Sequence, residues 1–474
     1  GYSNNGAAYV FERHQGGNEN WGQVAELTYT QSTVQMIPID QAADYIAIGG
    51  GLASLSYTQN GGVFIYNRNQ GGSLNYGLLK YVIAGNPSNY QYLAYYSVGI
   101  TSDLLVAGAY GDDTKTTDAG AAYIWERNNG GNDNWGFKQR LTASEYGGSD
   151  WFGYAVDVSG SYIAVSAIYE ENYYYGGTDQ GVVYLFYRNE AEEDYFGIVS
   201  ELRPASKSNY DMIGWSVEMD GSTLVTGNYR DGNSYYGETF VFEIGSGSGS
   251  SGWWDSGSKL TAYTPDSDER FGTATAISGN FFVVGASMES SSYTNGGYAY
   301  IWKYSNLGWS YLKALTPSSY SSYKYFGVSV TISGSLCVIG GDGGGSYEGA
   351  VTVFSKDSGG SENWGQVQSI ASSGSSSALY GHSVSLDGNY LAVGGPSASA
   401  TGGSGVVWIY TWGGSSFSST TSVSPATVTD LSGETSFGDV VVMSTTYLAV
   451  SCTGLNSDGS GRVMIFSKDQ GGSN

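Results

Sequence analysis

The chain has 474 residues, 40% of them hydrophobic, so it is long enough to bury a large core. Its 19 Lys and Arg against 43 Asp and Glu give a formal net charge of -24. This charge argues against a nucleic acid partner, because binding to a phosphate backbone rests on basic residues. The 73 glycines, 42 tyrosines and 7 prolines favour many short strands and turns over long helices. The composition therefore indicates an all-β protein.

Taken in chain order, a glycine that opens a short β-rich run recurs at intervals of 52 to 61 residues. The clearest copy runs from Trp151 to Phe186. It predicts a first strand with a Phe-Gly pair, a Ser-Gly turn, a second strand, a long loop and a third strand. A period of this length fits one four-stranded antiparallel sheet. The repeated glycines are Gly6, Gly62, Gly120, Gly181, Gly237, Gly297, Gly349, Gly405 and Gly461.

The two ends of the chain complement each other. Residues 1–33 supply only a third and a fourth strand, and residues 434–474 supply a first, second and third strand. We therefore predict a single β-propeller over 1–474, closed by combining N- and C-terminal strands, with eight blades favoured. One third strand is left over, so seven blades in a longer chain is an alternative. The predicted complete blades are 34–93, 94–150, 151–211, 212–269, 270–324, 325–378 and 379–435.

The repeated pattern combines Phe-Gly, a Ser-Gly turn, GAAYVFER and NWG segments, and is best preserved in the units that open at Phe152, Phe271 and Phe326. It resembles the FG-GAP repeat, in particular the tight-turn type of secreted and surface proteins, and more distantly the propeller of integrin α subunits. The resemblance covers essentially the whole chain, although the units around Met36 and Tyr96 lack the Phe-Gly pair. It implies a propeller fold, while function depends on the sites the fold carries.

Several repeated residues have a structural interpretation. We expect the phenylalanine of the Phe-Gly pair to wedge between blades, and its glycine to let inner strands approach closely. Trp21, Trp135 and Trp364 begin fourth strands and are predicted to pack within blades. Cys337 and Cys452 fall in second strands of separate repeats and are interpreted as small core residues.

Calcium is the cation whose binding the family resemblance suggests considering. The integrin-type site sits in a long acidic loop between first and second strands, and the turns at that place here are too short to supply six or more oxygen ligands. A looser possibility is the loop between the second and third strands, where Asp112, Asp113 and Asp118 could converge on a cation. A solvated acidic loop explains the same residues. We predict no cofactor.

Catalytic patterns are weak. Only His14 and His382 are present, which excludes a histidine-rich zinc site, and His382 occupies a position that varies between repeats. A glycosidase-like carboxylate pair drawn from Glu170, Glu171 and Asp179 is the remaining enzymatic hypothesis. We predict that the chain has no catalytic residues.

One face stands out by its tyrosines. Loops between second and third strands and segments between blades emerge on the same side of a propeller, and both kinds are rich in Tyr, Ser, Gly and Asn. Tyrosine offers a large contact area with a hydroxyl at low entropic cost, which suits binding. The same composition could simply keep a weakly charged surface in water. The predicted ligand-binding residues are Tyr173, Tyr174, Tyr175, Tyr229, Tyr235 and Tyr236.

We therefore predict an extracellular or cell-surface, non-enzymatic module that binds protein or glycan in adhesion. The alternative is a structural subunit of a surface layer or filament that self-associates, and an enzyme acting on glycans is the third hypothesis. No apolar run approaches the roughly 20 residues needed to span a bilayer. The chain starts at Gly1 rather than Met, so we expect further sequence in the gene product.

Overall fold

The protein is described by a computed structural model in which every regular element of the described residues is a β-strand. The described residues are 7–13, 21–28, 38–42, 44–51, 53–70, 77–145, 147–171, 178–190, 192–203, 210–221, 223–228, 237–243, 258–260, 270–290, 293–306, 308–319, 321–322, 324–343, 349–371, 379–397, 405–423, 435–443, 447–454 and 462–467.

The first half of the chain begins with two paired strands and continues with four sheets of four strands. The pair is β1 (Ala7–Arg13) and β2 (Trp21–Thr28). The first two sheets are β3 (Ile39–Ala42), β4 (Tyr45–Gly49), β5 (Val63–Asn67), β6 (Gly77–Val82), and β7 (Val98–Ile100), β8 (Leu104–Ala109), β9 (Ala121–Glu126), β10 (Gly136–Leu141). The next two are β11 (Phe152–Ser159), β12 (Tyr162–Ala167), β13 (Val182–Arg188), β14 (Phe196–Leu202), and β15 (Ser216–Asp220), β16 (Thr223–Asn228), β17 (Glu238–Glu243), β18 (Ser258–Leu260).

The second half repeats the same four-stranded meander three times and ends in three further strands. Its first two sheets are β19 (Phe271–Ser278), β20 (Phe281–Ala286), β21 (Tyr298–Ser305), β22 (Gly308–Leu315), and β23 (Ser329–Ser333), β24 (Leu336–Gly341), β25 (Ala350–Ser355), β26 (Gly365–Ala371). The third is β27 (Ser383–Asp387), β28 (Tyr390–Gly395), β29 (Val406–Trp412), β30 (Phe417–Val423). The last strands are β31 (Thr435–Met443), β32 (Tyr447–Gly454) and β33 (Arg462–Ser467).

The chain divides into two compact units. Unit 1 comprises Gly1–Thr30, Leu74–Tyr76 and Ala262–Asn474, and it contains the strands β1, β2 and β19 to β33. Unit 2 comprises Gln31–Ser73 and Gly77–Thr261, and it contains the four sheets formed by β3 to β18. The eight sheets found among the described residues are antiparallel, so the all-β fold built of repeated antiparallel sheets is confirmed.

The two chain ends share one sheet in unit 1. Its strand order is β1-β2-β33-β32-β31, so β33 lies beside β32 in the position of a third strand. The fourth strand β2 pairs with β33 through Gly22 and Ser467, and β1 is the surplus third strand, placed at the edge beyond β2. The sequence predicted this surplus but left open which of the two strands it would be.

Packing within each unit buries the second and third strands. Every residue of β8, β20 and β24 is buried, because these strands lie between two others in their own sheets. Fourth strands such as β10 and β22 are partly exposed at the sheet edge. Trp135 and Trp364 are fully buried and Cys337 is a buried free thiol, so these three residues pack in the core as expected.

The Phe-Gly pair joins neighbouring sheets within a unit. Phe152 is fully buried and forms an isolated parallel bridge with Gly120, which opens the third strand of the preceding sheet. Its partner Gly153 has φ +92, and a Cβ added there would lie 2.9 Å from the backbone nitrogen of Ala109. A side chain at this position would collide with the preceding sheet, to which Ala109 belongs. The geometry agrees with the predicted wedge and with the predicted close approach of strands.

Candidate functional site

Two kinds of loop meet in unit 2 and form its tyrosine-rich surface. In the three described loops between a second and a third strand of unit 2, the loop accepts a backbone hydrogen bond from the segment that leads into the next sheet. The donors and acceptors are Tyr90 N to Thr58 O, Ser149 N to Thr117 O and Tyr210 N to Thr178 O, each 2.8 Å apart. This repeated contact holds both kinds of loop side by side, as the sequence interpretation requires.

The six tyrosines predicted to bind ligand lie outside the described residues. They are Tyr173, Tyr174, Tyr175, Tyr229, Tyr235 and Tyr236. Their role in binding stays a prediction. The same surface nevertheless carries other aromatic residues, and their arrangement is described by the structure.

Nine aromatic rings of unit 2 form one continuous set of contacts, which we call the aromatic cluster. They come from segments before β7, after β8, at the start of β11, after β12 and before β15. The members are Tyr90, Tyr92, Tyr95, Tyr96, Tyr110, Trp151, Tyr154, Tyr169 and Trp215.

The cluster combines stacked and edge contacts. Tyr92 and Tyr110 stack with centroids 5.2 Å apart and planes within 6°, and Trp151 lies 4.9 Å from Tyr110. Tyr96 approaches Tyr154 at 4.4 Å. Tyr90 and Tyr96 are 52% and 42% exposed, so the cluster presents aromatic area to solvent. Such rings give a rigid contact surface with hydroxyl groups at its edge.

The backbone beneath the cluster is held in an unusual conformation. Tyr92, Trp151 and Met212 have φ of +54, +57 and +54, a region that bulky residues rarely adopt. The same conformation recurs before the Phe-Gly position of other sheets, as at Tyr325 and Leu379. It is therefore a property of the repeat rather than of one site, and in unit 2 it places Trp151 at the surface.

A cleft of about 360 Å³ adjoins the cluster. Two aromatic walls are Trp151 and Tyr169, whose centroids are 4.7 Å apart with planes at 84°. Three carboxylates, Asp118, Glu171 and Asp179, complete the lining together with small residues. The cleft thus offers flat apolar faces and hydrogen-bond acceptors, and no Lys or Arg is among its lining residues.

Burial and mutual repulsion raise the pKa values of carboxylates around this cleft. Burial, with the nearby charge of Asp113, raises the pKa of Asp118. Burial, with the charge of Glu171, raises the pKa of Asp179. Behind the lining, burial raises the pKa of Asp150 to about 6, even though the Gly147 N–H donates to its carboxylate. A ligand that brings hydrogen-bond donors or positive charge relieves this repulsion.

Glu170 lies next to the cleft lining but faces inward. It is 1% exposed, accepts hydrogen bonds from the Tyr184 hydroxyl at 2.8 Å to both oxygens, and pairs with the guanidinium of Arg203. Burial raises its pKa to about 7, and Arg203 opposes that rise. Both partners engage the carboxylate, so it supports the loop rather than the cleft. Of the carboxylates in the enzymatic hypothesis, Glu171 and Asp179 line the cleft.

We expect Arg203→Met to destabilise the protein more at pH 8.5 than at pH 5. The folded pKa of Glu170 is already above its unfolded value, so folding takes up a proton and stability falls as pH rises between about 4.3 and 7. Without Arg203 the buried carboxylate loses its counter-charge, its folded pKa rises further, and the fall in stability extends to higher pH. Urea unfolding at both pH values checks it, with Arg203→Lys as the charge-retaining control. An equal loss at both pH values would contradict this role for the ion pair.

The three aspartates considered for a cation have separate partners. Asp112 is fully buried, and its carboxylate accepts hydrogen bonds from Tyr123 at 2.5 Å and Arg140 at 2.8 Å. Burial favours a higher pKa, but hydrogen bonds from Thr114 and Tyr123 and the charge of Arg140 hold the pKa of Asp112 below its usual value. Asp113 accepts from the Asp118 N–H.

Among the residues the structure describes, no group of three or more His, Cys, Asp and Glu side chains is placed to hold a metal ion. The structure directs Asp112 inward and Asp118 toward the cleft lining, so it does not gather them as a ligand set. Calcium binding at this loop stays a prediction.

His382 lies in unit 1 between two carboxylates. Its Nδ1 is 2.9 Å from an oxygen of Asp342 and its Nε2 is 3.5 Å from one of Asp439. The hydrogen bond to Asp342 raises the pKa of His382, burial opposes the rise, and both carboxylates add to it. The two carboxylates, Asp342 and Asp439, explain why a histidine fits this variable position of the repeat.

Comparison with known proteins identifies the repeat. The model of the FG-GAP repeat family matches residues 135–186 and 254–302. These two segments are FG-GAP repeats. A solved structure of similar fold is Sqt1 from Chaetomium thermophilum, a WD40-type β-propeller, with a TM-score of 0.52 and 13% identity over 93% of this chain and 97% of that one. At this identity the likeness concerns the fold alone. No curated protein sequence matches the chain significantly.

FG-GAP repeats are typical of extracellular proteins and of propeller modules in adhesion or binding. The described part of the chain contains no helix that is long and apolar enough to cross a membrane.

Proposed function

We propose that the chain is a non-catalytic extracellular binding module that recognises glycans at the cleft beside the aromatic cluster of unit 2. One observation carries the proposal: the walls of Trp151 and Tyr169 and the carboxylates of Asp118, Glu171 and Asp179 line the same cleft. The C–H face of a sugar ring packs against aromatic rings, and its hydroxyls donate hydrogen bonds to carboxylates.

The charge of the cleft selects among glycans. Its ionisable lining groups are carboxylates, and the whole chain carries a net charge of -24. Neutral sugars and amino sugars therefore fit, while sulfated or uronic acid-rich chains meet repulsion. The exposed rings of Tyr90 and Tyr96 extend the apolar surface beyond the cleft, so a chain of several sugar units gains more contact than a single unit.

A glycan array probed with the labelled full chain tests this proposal. We expect signals on neutral or amino glycans and little signal on anionic ones. A ligand that binds through positive charge, such as a basic peptide, would lose affinity steeply as salt rises, because exposed charge interactions are screened. Binding that survives at high salt supports the glycan proposal, and binding confined to basic peptides at low salt would refute it.

The alternative role as a structural subunit has one observation in its favour. Strand β1 lies at the edge of its five-stranded sheet, and an open edge can pair with a strand of another chain. In that case the protein would assemble in solution. Light scattering coupled to size exclusion distinguishes the two roles, because a binding module elutes near its chain mass of 50.1 kDa and a structural subunit forms larger particles.

A further inference from the structure

A second cleft, of about 390 Å³, lies in unit 1 along the sheet of β23 to β26. Its lining includes Phe326, Gly341, Ala350, Thr352, Ser369 and Ala371, and its surface is mainly apolar. The residue that explains it is Thr352, which occupies a position where sister sheets carry a ring.

The position is fixed by strand register. It is the third-strand residue three places after the glycine that bridges to, or lies against, the segment entering the next sheet, as Phe64 follows Gly61 and Tyr123 follows Gly120. Thr352 pairs with Ile339 in this sheet. Six of the seven four-stranded sheets described carry an aromatic residue there: Phe64, Tyr123, Tyr184, Phe240, Tyr300 and Trp408. The sheet of β23 to β26 is the exception.

In the sister sheets the ring fills space beside the Phe-Gly phenylalanine. Phe152 contacts Tyr184 at 5.4 Å, and Phe271 contacts Tyr300 at 5.5 Å. Phe326 is the corresponding phenylalanine, and it lines the cleft with Thr352. A threonine side chain ends where the tyrosine ring would begin. The cleft therefore includes the space that a tyrosine ring fills elsewhere.

Ser369 stands opposite Thr352 on the fourth strand and is too small to fill the space. Small residues also stand opposite the ring in two sister sheets, Ala314 opposite Tyr300 and Ser422 opposite Trp408. The hydroxyls of Ser369 and Thr352 supply hydrogen-bonding groups in a mainly apolar lining that also includes Ser319, Ser321 and Lys324. Apolar cavities of about 150 Å³ are large enough to hold a benzene-sized ring, and ligand pockets typically start at about 300 Å³.

We propose that this cleft is a binding site for a small monocyclic phenol, whose ring takes the place that an aromatic side chain of the chain itself fills in the six sister sheets. The ring stacks beside Phe326, and its hydroxyl bonds to Ser369 or Thr352. The site is distinct from the glycan cleft of unit 2, which is lined by carboxylates.

Fluorine NMR with 4-fluorophenol as the probe tests the proposal. We expect binding to the wild-type protein with a dissociation constant below about 1 mM. Thr352→Tyr restores the missing ring and should weaken binding about tenfold or more, because the new side chain fills the cleft. Ser310→Tyr adds the same side chain at an exposed position of β22 outside the cleft lining and is the matched control, with affinity within about twofold of wild type.

A second variant keeps the test valid if Thr352→Tyr does not fold. Ala371 is exposed at the sheet edge, so Ala371→Phe narrows the cleft without entering the core, and it should also weaken binding. Absence of binding to the wild type would overturn the proposal. So would equal affinity in folded Thr352→Tyr, or equally tight binding of cyclohexanol, which has a similar size without the aromatic ring.

Discussion

Replacing Gly108 with alanine is expected to remove about 4 kcal/mol or more from the free energy of unfolding, or to prevent folding. Gly108 lies in β8, and a Cβ there would stand 2.7 Å from the carbonyl carbon of Gly153 and closer still to its oxygen. Both atoms belong to backbone, so no side chain can rotate away. The clash would push apart the sheets that Phe152 joins.

Gly160→Asn is the matched control for Gly108→Ala. Gly160 is in the turn between β11 and β12, has φ +58, and has no atom within 4 Å of an added Cβ. Asparagine tolerates that conformation, so we expect a change below about 1 kcal/mol. Urea unfolding monitored by tryptophan fluorescence measures both variants. A Gly108→Ala protein as stable as the control would show that the sheets do not approach as described.

Replacing Trp151 with alanine is expected to weaken glycan binding by about 30-fold, equivalent to about 2 kcal/mol, because a central aromatic anchor dominates such surfaces. Trp151 is both a wall of the cleft and a contact of Tyr110 and Tyr169. Its removal eliminates one stacking face and leaves the remaining rings less fixed. Isothermal titration with the best array ligand measures the change.

Trp309→Ala is the control for Trp151→Ala. Trp309 is a tryptophan of β22 in unit 1 that packs on Phe282 at 4.7 Å, so its loss changes the aromatic content without touching the cleft. We expect its affinity to stay within about twofold of wild type. Trp151→Phe retains a ring and should bind with intermediate affinity. Wild-type affinity in Trp151→Ala would place the ligand elsewhere.

Much of the fold could be predicted from the sequence, because each repeat carries its own turn and wedge residues. The Phe-Gly pair at Phe152 and the glycine at Gly120 fix how one sheet follows the next, and both are visible in the sequence. The choice between the two surplus third strands was not predictable, since GAAYVF and GRVMIF satisfy the same pattern. Ring closure stays a prediction.

The candidate site could be predicted only as a surface. Tyr92, Tyr110 and Trp151 come from three separate segments, and their contacts depend on how neighbouring sheets are offset. The sequence singled out tyrosine runs in the longest loops, whereas the described cluster uses single aromatics at strand ends. Tyr154 and Trp215 occupy the position after the Phe-Gly pair or its equivalent, which varies between repeats, and here the two rings contact each other at 5.2 Å. An alignment of the third strands in the sequence would have shown that Thr352 stands where the other repeats have an aromatic residue.

The most direct test of the glycan proposal is a crystal structure of the protein with its best array ligand. We predict that a sugar ring lies in the cleft with its C–H face against Trp151 or Tyr169 and its hydroxyls bonded to Asp118, Glu171 or Asp179. A glycan bound away from these residues, with the cleft filled only by solvent, would contradict the account.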